Sequence, residues 1–164
     1  MILNTQSFAR YSMIERRIRF ARDKQDLLKR FISSDDGTGP FRLQADVLAF
    51  AASLGAARNR REPLPEAIGE PIRQEVFDRQ GYDTLINLLA VQAEMSAAVL
   101  EDSDEMIAKR ASIFEEFANG GLSILAEETR GQVDFSQAIL LMVGDTRQKD
   151  ELDTPTFDLS KLRI

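Results

Sequence analysis

"IFEEFANGGLSILAEE", residues 113–128, decides how this chain is read. An amphipathic pattern runs into Asn119-Gly120-Gly121 and out again on the far side. Glycine in a helix interior costs about 1 kcal/mol relative to alanine, so a pair of them either ends the helix or serves a contact that needs them. Followed at helical spacing, Ile107, Ala111, Phe114, Ala118, Gly121 or Leu122, and Leu125 form one stripe that keeps its phase through the glycines. A loop would reset that phase, so the expected structure is one continuous helix of roughly 25 residues.

On that helix Ala118 and Gly121, with Asn119 and Gly120 beside them, make a smooth patch where another backbone can come close. The patch is expected to receive either another helix of the same domain or a partner protein. Ala118, Asn119, Gly120 and Gly121 are therefore the candidate partner-binding residues. The competing reading puts Asn119 or Gly120 in the left-handed conformation as a cap, with a second helix starting at Leu122. Substitution separates the two. On an exposed position of a continuous helix Gly120→Ala is expected to stabilise, whereas at a left-handed cap alanine is strained.

The remaining patterning is also helical. Asp23 fits an N-cap for "KQDLLKRFI", whose Leu27, Leu28, Phe31 and Ile32 share a face. From Leu43 a segment with Val47, Leu48, Phe50, Ala51 and Leu54 is apolar nearly all round, as expected of a helix in the middle of the core. It ends at Gly55 or runs on to Arg58. Pro63, Pro65 and Pro71 mark 61–71 as an irregular connector, with Pro71 in the first turn of the next helix. After Gly81, residues 82–100 carry Leu85, Leu88, Leu89, Gln92 and Met95 at helical spacing, and a last helix is expected near 133–149. Only "ERRIRFAR", residues 15–22, alternates like a strand, with Ile18 and Phe20 on one side and Arg17 and Arg19 on the other. The expected fold is mainly α: one compact helical bundle of about six helices with one short N-terminal strand. Its expected parts are a flexible arm (1–13), the helical domain (14–149) and an acidic tail (150–164).

Composition excludes more than it identifies. The 164 residues contain no cysteine and no histidine, which removes thiolate nucleophiles, zinc–cysteine sites and the usual general base near neutral pH. No apolar run reaches the roughly 18–20 residues of a membrane span, so the expected location is the cytoplasm. The net charge of −6 is unevenly spread. Residues 1–62 hold 12 Lys and Arg against 7 Asp and Glu, whereas 63–164 hold 9 against 20. Such a basic third either is a solvated face or meets phosphate or an acidic protein surface.

Catalytic motifs are scarce. "GTGPFRLQ" lacks the preceding strand of a phosphate-binding loop. Reading "EDSDE" (101–105) as a calcium loop from Asp104 puts Met106, Ala108 and Arg110 at ligand positions, which excludes it. Glu115 and Glu116 are helix neighbours that point in different directions. No catalytic residue, metal or cofactor is expected.

Three stretches in order carry a resemblance: "GPFRLQADVLAFAASLGAARNRREPL" (39–64), "EPIRQEVFDRQGYDTLINLLAV" (70–91) and "IFEEFANGGLSIL" (113–125). Together they resemble the DNA phosphorothioation-associated protein 4 (Dnd system-associated protein 4) family, from about Arg16 to "FDLSKL" near the C-terminus. The resemblance implies an accessory part of a bacterial system that replaces a phosphate oxygen of DNA with sulfur, and of the restriction machinery coupled to it in antiviral defence. It implies no catalytic residue. The first expectation is a non-enzymatic interaction subunit whose partners are other subunits of that system. The other is a DNA-binding module, in which the strand at 15–22 and the two helices after it follow the ribbon–helix–helix order of a homodimer. Its backbone contacts would come from Arg16, Arg17, Arg19, Arg22, Arg58, Arg60 and Arg61.

Overall fold

The computed structural model describes residues 16–33 and 39–153, with side chains to residue 144. The expected arm 1–13 and the tail beyond residue 153 lie outside the described residues. Within them, six α-helices follow one another: α1 (Gln25–Arg30), α2 (Gln44–Ala57), α3 (Gln74–Arg79), α4 (Asp83–Glu94), α5 (Asp104–Glu128) and α6 (Phe135–Asp153). A two-stranded antiparallel sheet joins β1 (Arg17–Ile18) to β2 (Ile72–Arg73), with Arg17 opposite Arg73 and Ile18 opposite Ile72. The fold is mainly α, as the periodicity requires.

α5 is a single helix of 25 residues that runs unbroken through Asn119-Gly120-Gly121. The Ser103 hydroxyl caps its start by accepting from the Met106 N–H, and Asp104 and Glu105 face the positive end of the dipole. α2 is the second core helix, with Val47, Leu48, Ala51 and Ala52 fully buried. It passes through Gly55 and ends at Ala57. Its first turn is held by the Asp46 carboxylate, which accepts from the Leu43 N–H and from the Tyr82 hydroxyl. Burial first, then the hydrogen bond to Asp46 and lastly the Asp46 charge, push the Tyr82 pKa up to about 12.

α2 and α5 cross face to face, and around them pack Phe20, Leu28, Phe31, Phe77, Ile86 and Leu89. Phe114 meets Phe77 edge to face at 5.6 Å between ring centres, and Phe31 meets Phe135 of α6 at 5.1 Å.

Several local expectations need correction. Asp23 is no N-cap: it lies inside a 3-10 turn (Arg22–Lys24), and α1 starts after it with no side-chain cap. Pro71 does not start a helix, because the next two residues form β2 and the helix waits until Gln74. The segment 82–100 breaks at Met95, which takes a left-handed φ of 51° and is almost fully exposed. A 3-10 turn (Ala97–Leu100) follows. α4 therefore faces the core with Ile86, Leu89 and Ala90, while Leu88 and Met95 of the expected stripe point outward. α6 starts after Gly131 as expected, with Ala138, Ile139 and Met142 buried, and continues into the acidic residues 150–153.

Candidate functional site

The glycines answer to the chain's own helices. A Cβ on Gly121 would overlap the backbone carbonyl of Ala51, and one on Gly120 the carbonyl of Arg60. From the α2 side, a Cβ on Gly55 would overlap the carbonyl of Phe117. Three glycines thus let two helices and the Arg60 backbone approach closer than side chains permit. Ala118 and Asn119 are buried alongside. The Asn119 amide donates to the Pro63 carbonyl at 3.1 Å, and its own oxygen is buried without a partner. The close-packing patch is real, but Ala118, Asn119, Gly120 and Gly121 are covered from within the domain and expose no surface to a partner in this fold. The expectation that Gly120 is an exposed position is corrected by the same contact.

The basic third also turns inward, toward acidic residues that are mostly on α5. Arg16 pairs with Asp104 at 3.1 Å, Arg58 with Glu128 at 3.4 Å, and Arg61 with Glu116. Arg60 grips both oxygens of Glu127 at 2.8 Å and reaches Glu62 at 2.7 Å. Glu62 is held in turn by the Ser123 hydroxyl, which donates at 2.7 Å. Burial pushes Glu62 upward, but the hydrogen bonds from Ser123 and Arg60 prevail and leave its pKa lowered. Hydrogen bonding from Arg60 lowers Glu127 too. Arg22 donates to the Ile68 carbonyl at 3.1 Å. Arg17 lies exposed on β1, opposite Arg73.

Arg19 and Glu115 form the least solvated of these pairs. The Glu115 carboxylate is 2% exposed. It accepts from the Arg19 backbone N–H at 2.7 Å and from the guanidinium at 2.8 Å and 3.2 Å. Burial pushes its pKa up, against the pull of Arg19. Its position was readable, since it follows Ala111 by four residues and precedes Ala118 by three on the buried stripe. Its partner was not, because nothing local links residues 96 positions apart.

The strand–helix–helix order is present, and β1 pairs along one edge with β2 of the same chain. Among the described residues no group of three or more acidic side chains converges as a metal site requires. No helix there is long and apolar enough to cross a membrane.

One cavity of about 370 Å³ opens between β1 and the N-terminal half of α5. Arg16, Arg17 and Arg19 form one wall, with Gln74 at its end. Asp104, Ile107, Ala108, Ala111, Ser112 and Glu115 form the other, spaced as one face of α5. The arrangement offers donors and an apolar floor, and the Ser112 hydroxyl on its wall donates to the Glu116 carboxylate at 3.4 Å.

Neither the curated proteins nor the solved structures contain a match to this chain. Residues 17–162 match the family described as DNA sulphur modification system-associated protein 4. That match runs from the first residue of β1 to within two residues of the chain's end, and the chain belongs to this family.

Proposed function

We propose that the chain is a non-catalytic accessory subunit of a bacterial DNA phosphorothioation-linked restriction system, acting in antiviral defence by binding other subunits of that system. Membership of a family associated with DNA sulphur modification supports the setting. The observation that carries the mode of action is the internal pairing of the arginines. Arg19, Arg58, Arg60 and Arg61 each meet a carboxylate of the same chain. Cations engaged in this way are poor phosphate ligands, since DNA would have to displace an intramolecular partner to gain each contact. The absence of histidine and cysteine from the sequence supports a role without chemistry of its own.

The test is recovery of the tagged chain from cells carrying the complete gene cluster, with and without nuclease treatment, read by mass spectrometry. Subunits of the system that stay bound after DNA is digested are the expected result. Association that disappears with the DNA overturns the reading in favour of a DNA-binding module. Nucleotide or DNA hydrolysis that is lost on mutating an acidic residue of this chain overturns its non-catalytic part.

A further inference from the structure

We infer that the cavity between β1 and α5 is the docking groove for an acidic–aliphatic segment of a partner protein. This inference rests on the accessory reading above and names the chemistry of the partner. The floor is set by α5: Ile107, Ala108 and Ala111 lie on one face within little more than one turn, Ile107 buried and Ala111 half-buried. Ala108 is exposed, so the floor is open to an incoming side chain. A cavity of about 370 Å³ has room for aliphatic side chains of an incoming segment.

The charges of the groove select its occupant. Glu115 is buried and already neutralised by Arg19. Asp104 sits in the first turn of α5, where the helix dipole stabilises it without help from a guanidinium. Its contact with Arg16 joins a side chain 48% exposed to one 93% exposed, the weakest class of ion pair. Arg16 can therefore exchange Asp104 for an incoming carboxylate at little cost, while Arg19 stays fixed on Glu115. A DNA backbone would use the arginines but leave the apolar floor unfilled. A segment with leucine-like side chains flanking an aspartate uses both.

The probe is the tripeptide N-acetyl-Leu-Asp-Leu-amide, titrated into the full ¹⁵N-labelled chain and compared with N-acetyl-Leu-Lys-Leu-amide. Saturable amide shifts confined to Arg16–Arg19 and Ile107–Ser112 are expected with the aspartate peptide, and affinity about tenfold weaker with the lysine peptide. Ala108→Trp fills the floor from an exposed position and is expected to abolish binding. Arg16→Glu is expected to reverse the preference between the two peptides. No saturable shifts, an equal response to both peptides, or undiminished binding by folded Ala108→Trp overturns the groove. A short DNA duplex that perturbs the same residues more tightly at equal salt overturns it in favour of phosphate.

Recovery from cells carrying the gene cluster separates the two levels of argument. If Ala108→Trp keeps the partners of the parent chain, the groove fails and the accessory reading stands. If no subunit is recovered with the parent while the tripeptide still binds, the accessory reading fails and the groove stands.

Discussion

Gly121 on α5 lies directly against the backbone of Ala51 on α2, with no room for a Cβ between them. This contact explains why the sequence accepts two glycines in mid-helix. A continuous helix normally gains about 1 kcal/mol from Gly→Ala, but here overpacking opposes the gain with roughly 1–3 kcal/mol or more. Gly121→Ala is therefore expected to lower the thermal unfolding midpoint by several degrees, and Gly121→Leu to lower it further. Gly120→Ala is also expected to destabilise, because its Cβ would meet the Arg60 carbonyl. Either alanine variant melting at or above the parent temperature would contradict the close approach.

Arg19 secures a buried carboxylate, and its loss should be felt according to pH. Arg19→Ala leaves Glu115 desolvated and unpaired, at an expected cost of about 1–3 kcal/mol. That is below the figure for a fully buried pair because the arginine is half exposed. Burial already holds the Glu115 pKa above its ordinary value, and removing Arg19 raises it further. A carboxyl raised in the folded state favours folding at acid pH and loses that advantage as pH rises through the raised value. The variant's deficit should therefore grow as pH rises above the ordinary carboxylate range. Urea unfolding of parent and variant at pH 5 and pH 8 measures it, and an equal deficit at both would place the cost in lost packing.

How much of this was legible varies with the range of the interaction. The length of α5 was legible because the phase of its stripe is local, and the burial of Ile18 and Phe20 because alternation is local. β2 was not, since two residues between Pro71 and a helix carry no period of their own. The facing of α4 was ambiguous for a different reason. Ile86, Leu89 and Ala90 compete with Leu85, Leu88 and Met95 as apolar stripes, and only packing against α5 decides between them. The charge asymmetry was visible in full, but its meaning was not. Residues 1–62 are basic because α5, more than 40 residues further on, is acidic where they meet it.

The Arg60 clamp has its own window of pH. Hydrogen bonding from Arg60 lowers Glu127, and it joins Ser123 in overcoming the burial that would raise Glu62. Carboxylates lowered in the folded state stabilise it above their ordinary pKa, and that contribution is lost as pH falls through the lowered values. Arg60→Ala should therefore be less stable than the parent at pH 6–7 and converge on it below about pH 4.5. This window lies on the acid side of the one set by Arg19 and Glu115. Melting temperatures of the parent and both variants, taken from pH 3 to pH 8, should show the two deficits opening in sequence. A single shared window would mean that the middle and the C-terminal end of α5 titrate as one unit.

Met95 ends α4 in the left-handed conformation with its side chain 87% exposed. A residue with a Cβ is disfavoured there by about 1–2 kcal/mol, whereas glycine adopts this backbone freely. The side chain has almost no burial to offset that cost. Met95→Gly is therefore expected to stabilise the fold by about 0.5–1 kcal/mol, after allowing for the added freedom of glycine in the unfolded chain. Met95→Ala relieves nothing and should be close to neutral. The pair matters because Leu88 is exposed on the same helix, two turns before Met95. A gain from glycine with no change from alanine identifies the backbone as the source of strain. Destabilisation by both substitutions would instead show that the methionine side chain makes a contact on the outer face of α4, and that this face is covered in solution.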